Sequence, residues 1–306
     1  MHTPLTGLYT ALITPFYPDG SLNEEGLKNN IRFQLTAPVD GIVILGTTGE
    51  APTLLMQEKE HIIKIAREET IGRCHLMVGT GCNSTQQTIE NTRMAKDMGA
   101  DSVLVVTPYY NKPTQEGLYQ HYTTLAHQVE IPILVYNVQG RTGVNLQTET
   151  LKRLSMIEQI IGVKEASGNM IQMMEVIENI LSQRPNFSIL SGDDALAYPL
   201  ITLGGHGVIS VLSNLLPAEM KELCNLTLNH QYTEARSLHF KLLPLMRNLF
   251  IETNPIPIKA AMNLCGYAAG PCRLPLSMIN KDHLLILKKT LKEHFLSNSD
   301  LNLIFD

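Results

Sequence analysis

Residues 160–181 read IIGVKEASGNMIQMMEVIENIL, a short apolar run, then a polar turn, then apolar side chains at helical spacing. This stretch predicts one β-strand over Ile160–Lys164 and one α-helix over Met170–Leu181. The strand segment shows no clean alternation of polar and apolar residues. That pattern is typical of a strand in a parallel sheet, where both faces are buried.

The same strand-then-helix unit recurs along the chain and gives eight predicted pairs. The predicted strands lie at 8–14, 41–46, 75–81, 102–106, 132–136, 160–164, 187–190 and 207–211. The predicted helices lie near 27–35 and at 57–70, 85–98, 116–128, 149–154, 170–181, 194–203 and 218–230. Eight such pairs with short links predict the α/β class and a (β/α)8 TIM barrel, with a doubly wound open sheet as the alternative.

After His230 the pattern becomes entirely helical, with predicted helices at 232–250, 257–264 and 281–295. We therefore predict a barrel over residues 1–230 and a C-terminal helical extension over residues 231–306, packed on the barrel. No low-complexity linker separates the two parts, which argues against independent motion.

Composition excludes several classes of protein. The 306 residues are 44% hydrophobic and 17% charged, which favours a closed core over disorder. The net charge is −5 and no basic stripe occurs, so neither nucleic acid nor an anionic membrane is an expected partner. No run approaches the roughly 20 apolar residues of a membrane span, and residues 1–7 do not resemble a signal peptide. We expect a cytoplasmic protein that acts on a small molecule.

Motifs for metals and cofactors are absent from the sequence. The five cysteines include no CxxC pair, so neither a disulfide framework nor a zinc site is indicated. The patterns GxxxxGK[ST], HExxH and GxSxG do not occur, and no GxGxxG opens the first strand-to-helix turn. Asp193 and Asp194 open a predicted helix, where carboxylates cap free N–H groups, although a metal pair is the alternative. His206 precedes the eighth strand and is expected to be structural.

Reactive side chains of a parallel barrel lie at the carboxyl ends of its strands. The second strand ends in GTTGE at 46–50, where Thr47 and Thr48 supply hydroxyls in a turn that can hold an anion, although a plain turn has the same composition. The fourth strand leads to Tyr109 and Tyr110. The fifth ends at Tyr136, and tyrosines at such loop tips are more often packing residues than catalytic ones.

Two cations stand out at these ends. Arg141 lies in GRTG at 140–143, where flanking glycines leave the guanidinium room to grip a carboxylate, although a surface arginine is the alternative. Lys164 directly follows the buried run of the sixth strand. A lysine at such depth is desolvated, which favours the neutral, nucleophilic amine. Lys164 with hydroxyls around it suits Schiff-base chemistry on a 2-oxo acid.

Seven segments together resemble the dihydrodipicolinate synthase family. They are GTTGE at 46–50, TPYYNKP at 107–113, YNVQGRTG at 136–143, GVKEASGN at 162–169, SGDD at 191–194, GGHGVISV at 204–211 and NPIPIKAAM at 254–262. The resemblance runs from about Gly7 to the last long helix, with the motifs in the order and spacing of the family. It implies a cytoplasmic (β/α)8 class I aldolase, usually a homotetramer built as a dimer of tight dimers.

The reaction that the resemblance implies is the condensation of pyruvate with aspartate-4-semialdehyde, in the diaminopimelate and lysine pathway, without a metal or organic cofactor. By matching position, Lys164 forms the imine with pyruvate and Tyr136 donates and accepts protons above it. Thr47 relays protons from Tyr136. Tyr110 is the third member of the relay and is contributed across the tight dimer interface.

Three further positions match substrate-binding groups of the family. Thr48 matches the binder of the pyruvate carboxylate, Arg141 matches the arginine that receives the carboxylate of the aldehyde, and the backbone of Ile209 lines the imine pocket. One position departs from the family, which usually has proline where this chain has Gln139. Proline would fix the turn that aims the arginine, so its absence leaves the loop geometry open.

Two alternative functions share much of this pattern. N-acetylneuraminate lyase and sugar-acid aldolases have the lysine and tyrosine but generally lack the arginine, so Arg141 favours the semialdehyde substrate. A non-catalytic pyruvate-binding homologue would have a broken relay, whereas every relay position is filled here.

Feedback inhibition by L-lysine is a further property of some family members. In the best-known sensitive members a histidine stands at the position of Lys59, and a glutamate stands at the position of Gln87. A like charge at the first position and a missing charge at the second both weaken binding of a cation. We therefore expect L-lysine at millimolar concentration to inhibit weakly or not at all.

Overall fold

A computed structural model describes residues 4–296, so residues 1–3 and the last ten residues of the predicted extension lie outside the described part. Eight parallel strands form a closed barrel in which each strand pairs with its neighbours in chain order and β8 pairs with β1. The strands are β1 Gly7–Ala11, β2 Gly41–Ile44, β3 His75–Gly79, β4 Ser102–Val106, β5 Ile133–Asn137, β6 Ile160–Glu165, β7 Ser188–Ser191 and β8 Gly207–Ser210. The predicted (β/α)8 barrel is confirmed, and the open sheet is excluded.

Helices follow every strand. They are α1 Glu24–Thr36, α2 Met56–Thr70, α3 Thr85–Asp97, α4 Gln115–Gln128, α5 Gln139–Thr142, α6 Thr148–Ser155, α7 Met170–Leu181, α8 Ala197–Thr202, α9 Pro217–Leu228, α10 Tyr232–Asn248, α11 Ile256–Leu264 and α12 Lys281–Leu296. Short 3₁₀ turns occupy Ala51–Thr53, Asp194–Leu196 and Leu212–Asn214.

Two local features differ from the sequence prediction. The one-turn helix α5, which carries Arg141, was not predicted, because four residues are too few to give a periodic pattern. The predicted helix at 194–203 begins as a 3₁₀ turn and becomes α-helical only at Ala197.

The barrel interior is a packed apolar core distinct from the core between strands and helices. Its buried side chains come from all eight strands and their ends: Leu5, Tyr9, Ala11, Val43, Met77, Leu104, Leu134, Tyr136, Val138, Ile161, Leu190 and Ile209. Filling of this kind closes the barrel axis and confines open space to its ends.

The register between β5 and β6 brings the two principal candidate residues side by side. An irregularity near Ile133 and Leu134 shifts the pairing, so that Leu134 lies beside Gly162 and Tyr136 lies beside Lys164. Residues paired in register in a parallel sheet point to the same face. Tyr136 is part of the inner apolar cluster, so Lys164 faces the barrel interior as well.

The helices after residue 231 pack against the barrel helices and one another. Helix α10 contacts α8, α9 and α12, and α11 contacts α12. Within residues 4–296, no helix combines the length and the apolar character needed to cross a lipid bilayer.

Candidate active site

A cavity of about 360 Å³ opens at the carboxyl ends of β2 to β5. Thr47, Tyr109, Tyr136 and Arg141 line it, together with Asn254 from the segment that precedes α11. The structure thus brings three of the predicted site residues, Thr47, Tyr136 and Arg141, to one open cavity. The other predicted site residues are not among its lining residues: Lys164, Thr48, Tyr110 and Ile209. Its polar lining residues carry hydroxyls and amides, the two cations Arg141 and Lys59, and the acidic Glu50. The two cations suit a small anionic ligand.

Lys164 lies against the ring of Tyr136. Its Nζ atom is 4.3 Å from the ring centroid, and each of the two side chains is only 6% exposed. Gly192, after β7, leaves space for Ala166 and for this lysine, because a Cβ atom at that position would lie 2.6 Å from Ala166 Cβ and 3.0 Å from Lys164 Cε. The geometry places a buried amine and a phenol in contact at the end of adjacent strands.

A buried carboxylate behind this pair fixes the two strand ends. Glu165 is fully buried, accepts a hydrogen bond from the N–H of Ser167 at 2.7 Å, and accepts another from Asn137 Nδ2 at 3.1 Å. Burial raises the pKa of Glu165 above its usual range. Since Asn137 and Glu165 directly follow Tyr136 and Lys164, this contact fixes the register of the candidate pair.

The turn after β2 has an unusual backbone. Glu50 adopts a left-handed conformation with φ of +53°, and its N–H donates to the carbonyl of Thr47 at 3.1 Å. Thr47 is partly exposed to the cavity, whereas Thr48 is 3% exposed and accepts a hydrogen bond from Asn254 Nδ2 at 2.9 Å. A non-glycine residue in the left-handed region needs its surroundings to hold it there.

An ion pair beneath the turn supplies that support. The Nζ atom of Lys259 lies 2.7 Å from Glu50 Oε1, with side-chain exposures of 2% and 0%. Lys259 also donates to the carbonyl of Pro271 at 2.7 Å, and the other oxygen of Glu50 accepts from the N–H of Arg273 at 2.8 Å. Burial lowers the pKa of Lys259. Helix α11 is thereby tied to the turn that carries Thr47.

Arg141 is held by a well-ordered turn although no proline precedes it. Gly143 ends α5 in the left-handed conformation with φ of +72°, and the buried hydroxyl of Thr142 donates to the carbonyls of Val138 and Val144. Arg141 Nη2 donates to the carbonyl of Asn254 at 3.1 Å. The conformation of the loop around Arg141, which the sequence left open because Gln139 replaces a proline, is therefore set by helix capping and hydrogen bonds.

Tyr110 and Ile209 lie at opposite extremes of exposure. The Tyr110 side chain is 88% exposed, on a loop where its φ is +75°, and is not among the residues of this chain that line the cavity. Tyr109, its neighbour, lines the cavity instead. Ile209 is fully buried in the barrel interior beside Tyr9.

Asp193, Asp194 and His206 have structural partners. Asp193 accepts from the N–H of Ala195 at 2.8 Å and caps the helical turn, as predicted. Asp194 does not cap that turn. Its carboxylate accepts from the N–H groups of Val211 and Leu212 instead, because the chain after β8 presents unpaired donors there. The Nδ1 atom of His206 accepts from the N–H of Ile189 at 3.1 Å.

Metal binding finds no support in the described chain. Between residues 4 and 296, no group of three or more His, Cys, Asp or Glu side chains is placed to hold a metal ion. All five cysteines are free thiols. Burial raises the pKa of Cys224 to about 12 and that of Cys265 to about 11, which keeps both protonated and unreactive.

Three positions of the site were not assigned a role from the sequence. Gly192 and Asn254 give no local signal, because their contacts come from segments distant in the chain. Lys259 did carry a signal, since it is a single charge in the apolar helix IPIKAAMNL. The reasoning that singled out Lys164 applies equally to this lysine.

The structure is a closed parallel barrel in which a buried lysine lies against a tyrosine at the carboxyl face. Imine formation on a carbonyl substrate requires such an arrangement, and it is the architecture of a class I aldolase. The chain matches the Dihydrodipicolinate synthetase family over residues 4–294. The chain therefore belongs to this family.

Individual relatives are similar over nearly their full length. The chain is 58% identical to the 4-hydroxy-tetrahydrodipicolinate synthase of Protochlamydia amoebophila, with 94% of this chain and 96% of the relative covered. A crystal structure of dihydrodipicolinate synthase from Thermotoga maritima is 42% identical, with a TM-score of 0.93 over 95% of this chain and 99% of that one. The chloride-inhibited enzyme from Acinetobacter baumannii, complexed with pyruvate, is 40% identical, with a TM-score of 0.92 over 94% of this chain and 98% of that one.

Proposed function

We propose that the chain is a 4-hydroxy-tetrahydrodipicolinate synthase, a lyase that condenses pyruvate with L-aspartate-4-semialdehyde in diaminopimelate and lysine biosynthesis. The observation that carries the proposal is the contact between Lys164 Nζ and the ring of Tyr136, 4.3 Å from its centroid. The relatives named above support it, as does the pyruvate complex of the Acinetobacter baumannii enzyme. A cytoplasmic location belongs to the same proposal.

Lys164 supplies the nucleophile. Its amine adds to the keto carbon of pyruvate, and the resulting carbinolamine loses water to give an imine. Tyr136 donates the proton that the departing water needs. Loss of a proton from the methyl group then gives an enamine, and Thr47, which lines the same cavity, relays protons from Tyr136.

The enamine adds to the aldehyde carbon of the semialdehyde, and the aldehyde oxygen takes up a proton. The amino group of the semialdehyde then attacks the imine carbon, closes the ring and releases the Lys164 amine. Arg141 receives the carboxylate of the aldehyde substrate, since its guanidinium lines the cavity and a bidentate contact is open to it. Thr48 binds the pyruvate carboxylate, and the backbone of Ile209 lines the imine pocket.

Borohydride trapping tests the function. Pyruvate alone, with borohydride, should add a covalent mass to the protein, and the adduct should map to Lys164. Lys164→Ala should abolish it. An adduct on Lys112 or Lys259 that persists in Lys164→Ala would show that the site is wrongly assigned.

Turnover of the second substrate separates this function from that of the sugar-acid aldolases. Arg141→Met should raise the KM for aspartate semialdehyde much more than the KM for pyruvate, because a charge-assisted contact contributes about 1.5–3 kcal/mol. Equal effects on both constants would argue for a structural role of Arg141. Failure of the wild type to consume the semialdehyde would favour a different aldehyde.

The quaternary structure is part of the same proposal, as a homotetramer built from two tight dimers. Tyr110 and Leu274 are 88% and 83% exposed and adjoin the lining residues Tyr109 and Pro275 in the chain. Met278, 83% exposed, lies two residues after the lining residue Leu276. This apolar rim fits a second copy that contributes its own Tyr110 to the relay. Ile171 and Met174, one turn apart on α7, are a second exposed apolar set and suit the contact between dimers.

Sedimentation measures the assembly directly. A tetramer is the expected species, and a fully active monomer would contradict the role of Tyr110 across an interface. The division into a barrel of residues 1–230 and an extension of residues 231–306 is likewise proposed. Limited proteolysis should not release the extension intact, because Lys259 ties it to the turn of Glu50.

A further inference from the structure

Asn254 lies between the two groups that we assign to carboxylate binding. Its side-chain amide contacts Thr48, and its backbone carbonyl contacts Arg141. It lines the cavity, is 4% exposed, and belongs to the segment that leads into α11 rather than to the barrel itself.

The direction of the first hydrogen bond determines what Thr48 can do. The Nδ2 atom of Asn254 is a donor only, so the Thr48 oxygen accepts in this bond at 2.9 Å. The hydroxyl hydrogen of Thr48 is then left for another acceptor. A carboxylate is an acceptor only, so the hydroxyl is set in the polarity that binds the carboxylate of pyruvate.

The second hydrogen bond fixes one edge of the guanidinium. Arg141 Nη2 donates to the carbonyl of Asn254 at 3.1 Å, which engages one of five N–H groups. The remaining donors stay available for the carboxylate of the aldehyde. Because this contact uses the backbone, it is retained when the side chain of Asn254 is replaced.

The side chain of Asn254 is not optimised for folding. Its Oδ1 atom is buried and has no hydrogen-bond partner among residues 4–296. A buried oxygen without a partner is destabilising, and an apolar residue would avoid that cost. A buried unsatisfied group that contacts a site residue indicates a functional constraint.

We propose that Asn254 is a positioning residue, which sets the hydrogen-bond polarity of Thr48 through its side chain and holds the guanidinium of Arg141 through its carbonyl. The inference rests on the proposed function. It predicts that the side chain affects pyruvate binding selectively, whereas the aldehyde subsite, which depends on the backbone contact, is little changed by a substitution.

Steady-state kinetics of Asn254→Ala and Asn254→Asp test this. Asn254→Ala should raise the KM for pyruvate about 2- to 12-fold, the change that corresponds to loss of a hydrogen bond worth 0.5–1.5 kcal/mol. Asn254→Asp has the same shape but accepts from Thr48 and adds a negative charge beside a carboxylate, so it should raise this KM further. Both should leave kcat and the KM for aspartate semialdehyde little changed.

A double variant separates positioning from a general structural role. If Asn254 acts through Thr48, Asn254→Ala should raise the KM for pyruvate no further in a Thr48→Ala background. The inference would be overturned if Asn254→Ala and Thr48→Ala raised the KM for pyruvate multiplicatively. It would also be overturned if neither Asn254→Ala nor Asn254→Asp changed this KM. Asn263→Ala is the matched control, since Asn263 is exposed on α11 and its side chain hydrogen-bonds to the loop at Gly270.

Two measurements keep the outcomes distinct. Circular dichroism reports whether each variant folds, and the isosteric Asn254→Asp decides the question if the alanine variant does not. Borohydride trapping of the wild type with pyruvate is independent of Asn254. Its absence would refute the proposed function, whereas trapping in the wild type with unchanged constants in the variants would refute only the positioning role.

Discussion

Lys259→Met removes one charge of the buried ion pair and should strongly destabilise the protein. Methionine retains the length of the side chain and its packing near the ring of Phe16, which lies 4.3 Å from the lysine nitrogen. Glu50 would keep the N–H of Arg273 as a partner but would lose its contacting cation. The substitution therefore isolates the electrostatic contribution from the creation of a cavity.

The exposures of Lys259 and Glu50 determine how much unfolding free energy Lys259→Met should lose. Both side chains are at most 2% exposed and their charged atoms are 2.7 Å apart, so water cannot solvate the remaining carboxylate. Removal of one member of such a pair costs about 3–5 kcal/mol. Removal of both charges, in Glu50→Gln with Lys259→Met, should recover much of this loss, since no charge is left buried.

Urea denaturation at one fixed protein concentration measures these differences, because assembly makes the midpoint depend on concentration. Lys28→Met is the matched control, since Lys28 pairs with Glu25 on the surface at 3.0 Å, and it should leave the midpoint unchanged. A loss below about 1 kcal/mol in Lys259→Met would refute the reasoning, because the pair would then behave like a surface contact. So would a double variant no more stable than the single one.

Three further outcomes follow from particular contacts. Burial raises the pKa of Asp194 to about 6. Between about pH 4 and pH 6 the folded state therefore holds the Asp194 proton more tightly than the unfolded chain does. The stability that this proton provides is lost as pH rises through that window. Asp194→Asn should therefore reduce the change in unfolding free energy across this window by on the order of 2–3 kcal/mol. An unchanged pH profile of stability would contradict the raised pKa of Asp194. Gly192→Ala should displace Ala166, two residues after Lys164, and crowd Lys164 itself, so it should slow formation of the trapped pyruvate adduct, whereas Gly140→Ala, with open space around the added carbon, should not; equal rates in the two variants would show that the space is not needed. L-lysine at millimolar concentration should inhibit weakly or not at all, because Lys59 adds a like charge and Gln87 offers no charge at the positions expected to bind this cation, and a submillimolar inhibition constant would show that other groups compensate.

The strand-to-helix repeat was predictable because each unit is encoded locally. The helix over Met170–Leu181 and the strand over Ser102–Val106 have the predicted bounds, since apolar periodicity and flanking polar turns fix both. Closure of the barrel followed from the number of repeats. The one-turn helix that carries Arg141 was missed, because Gly143 and Thr142 define it through backbone contacts and not through periodicity.

The candidate site divides in the same way. The sequence by itself determined which reactive side chains stand at strand ends, because the alternation of strands and helices places every strand end on one face of the barrel. That rule singled out Lys164, whereas the role proposed for Tyr136 came from the family resemblance. Only the tertiary structure decided which groups support them, since the contacts of Asn254 with Thr48 and of Lys259 with Glu50 join residues more than 200 positions apart. No local pattern encodes such contacts, because they arise only when α11 and the segment before it pack against the turn after β2.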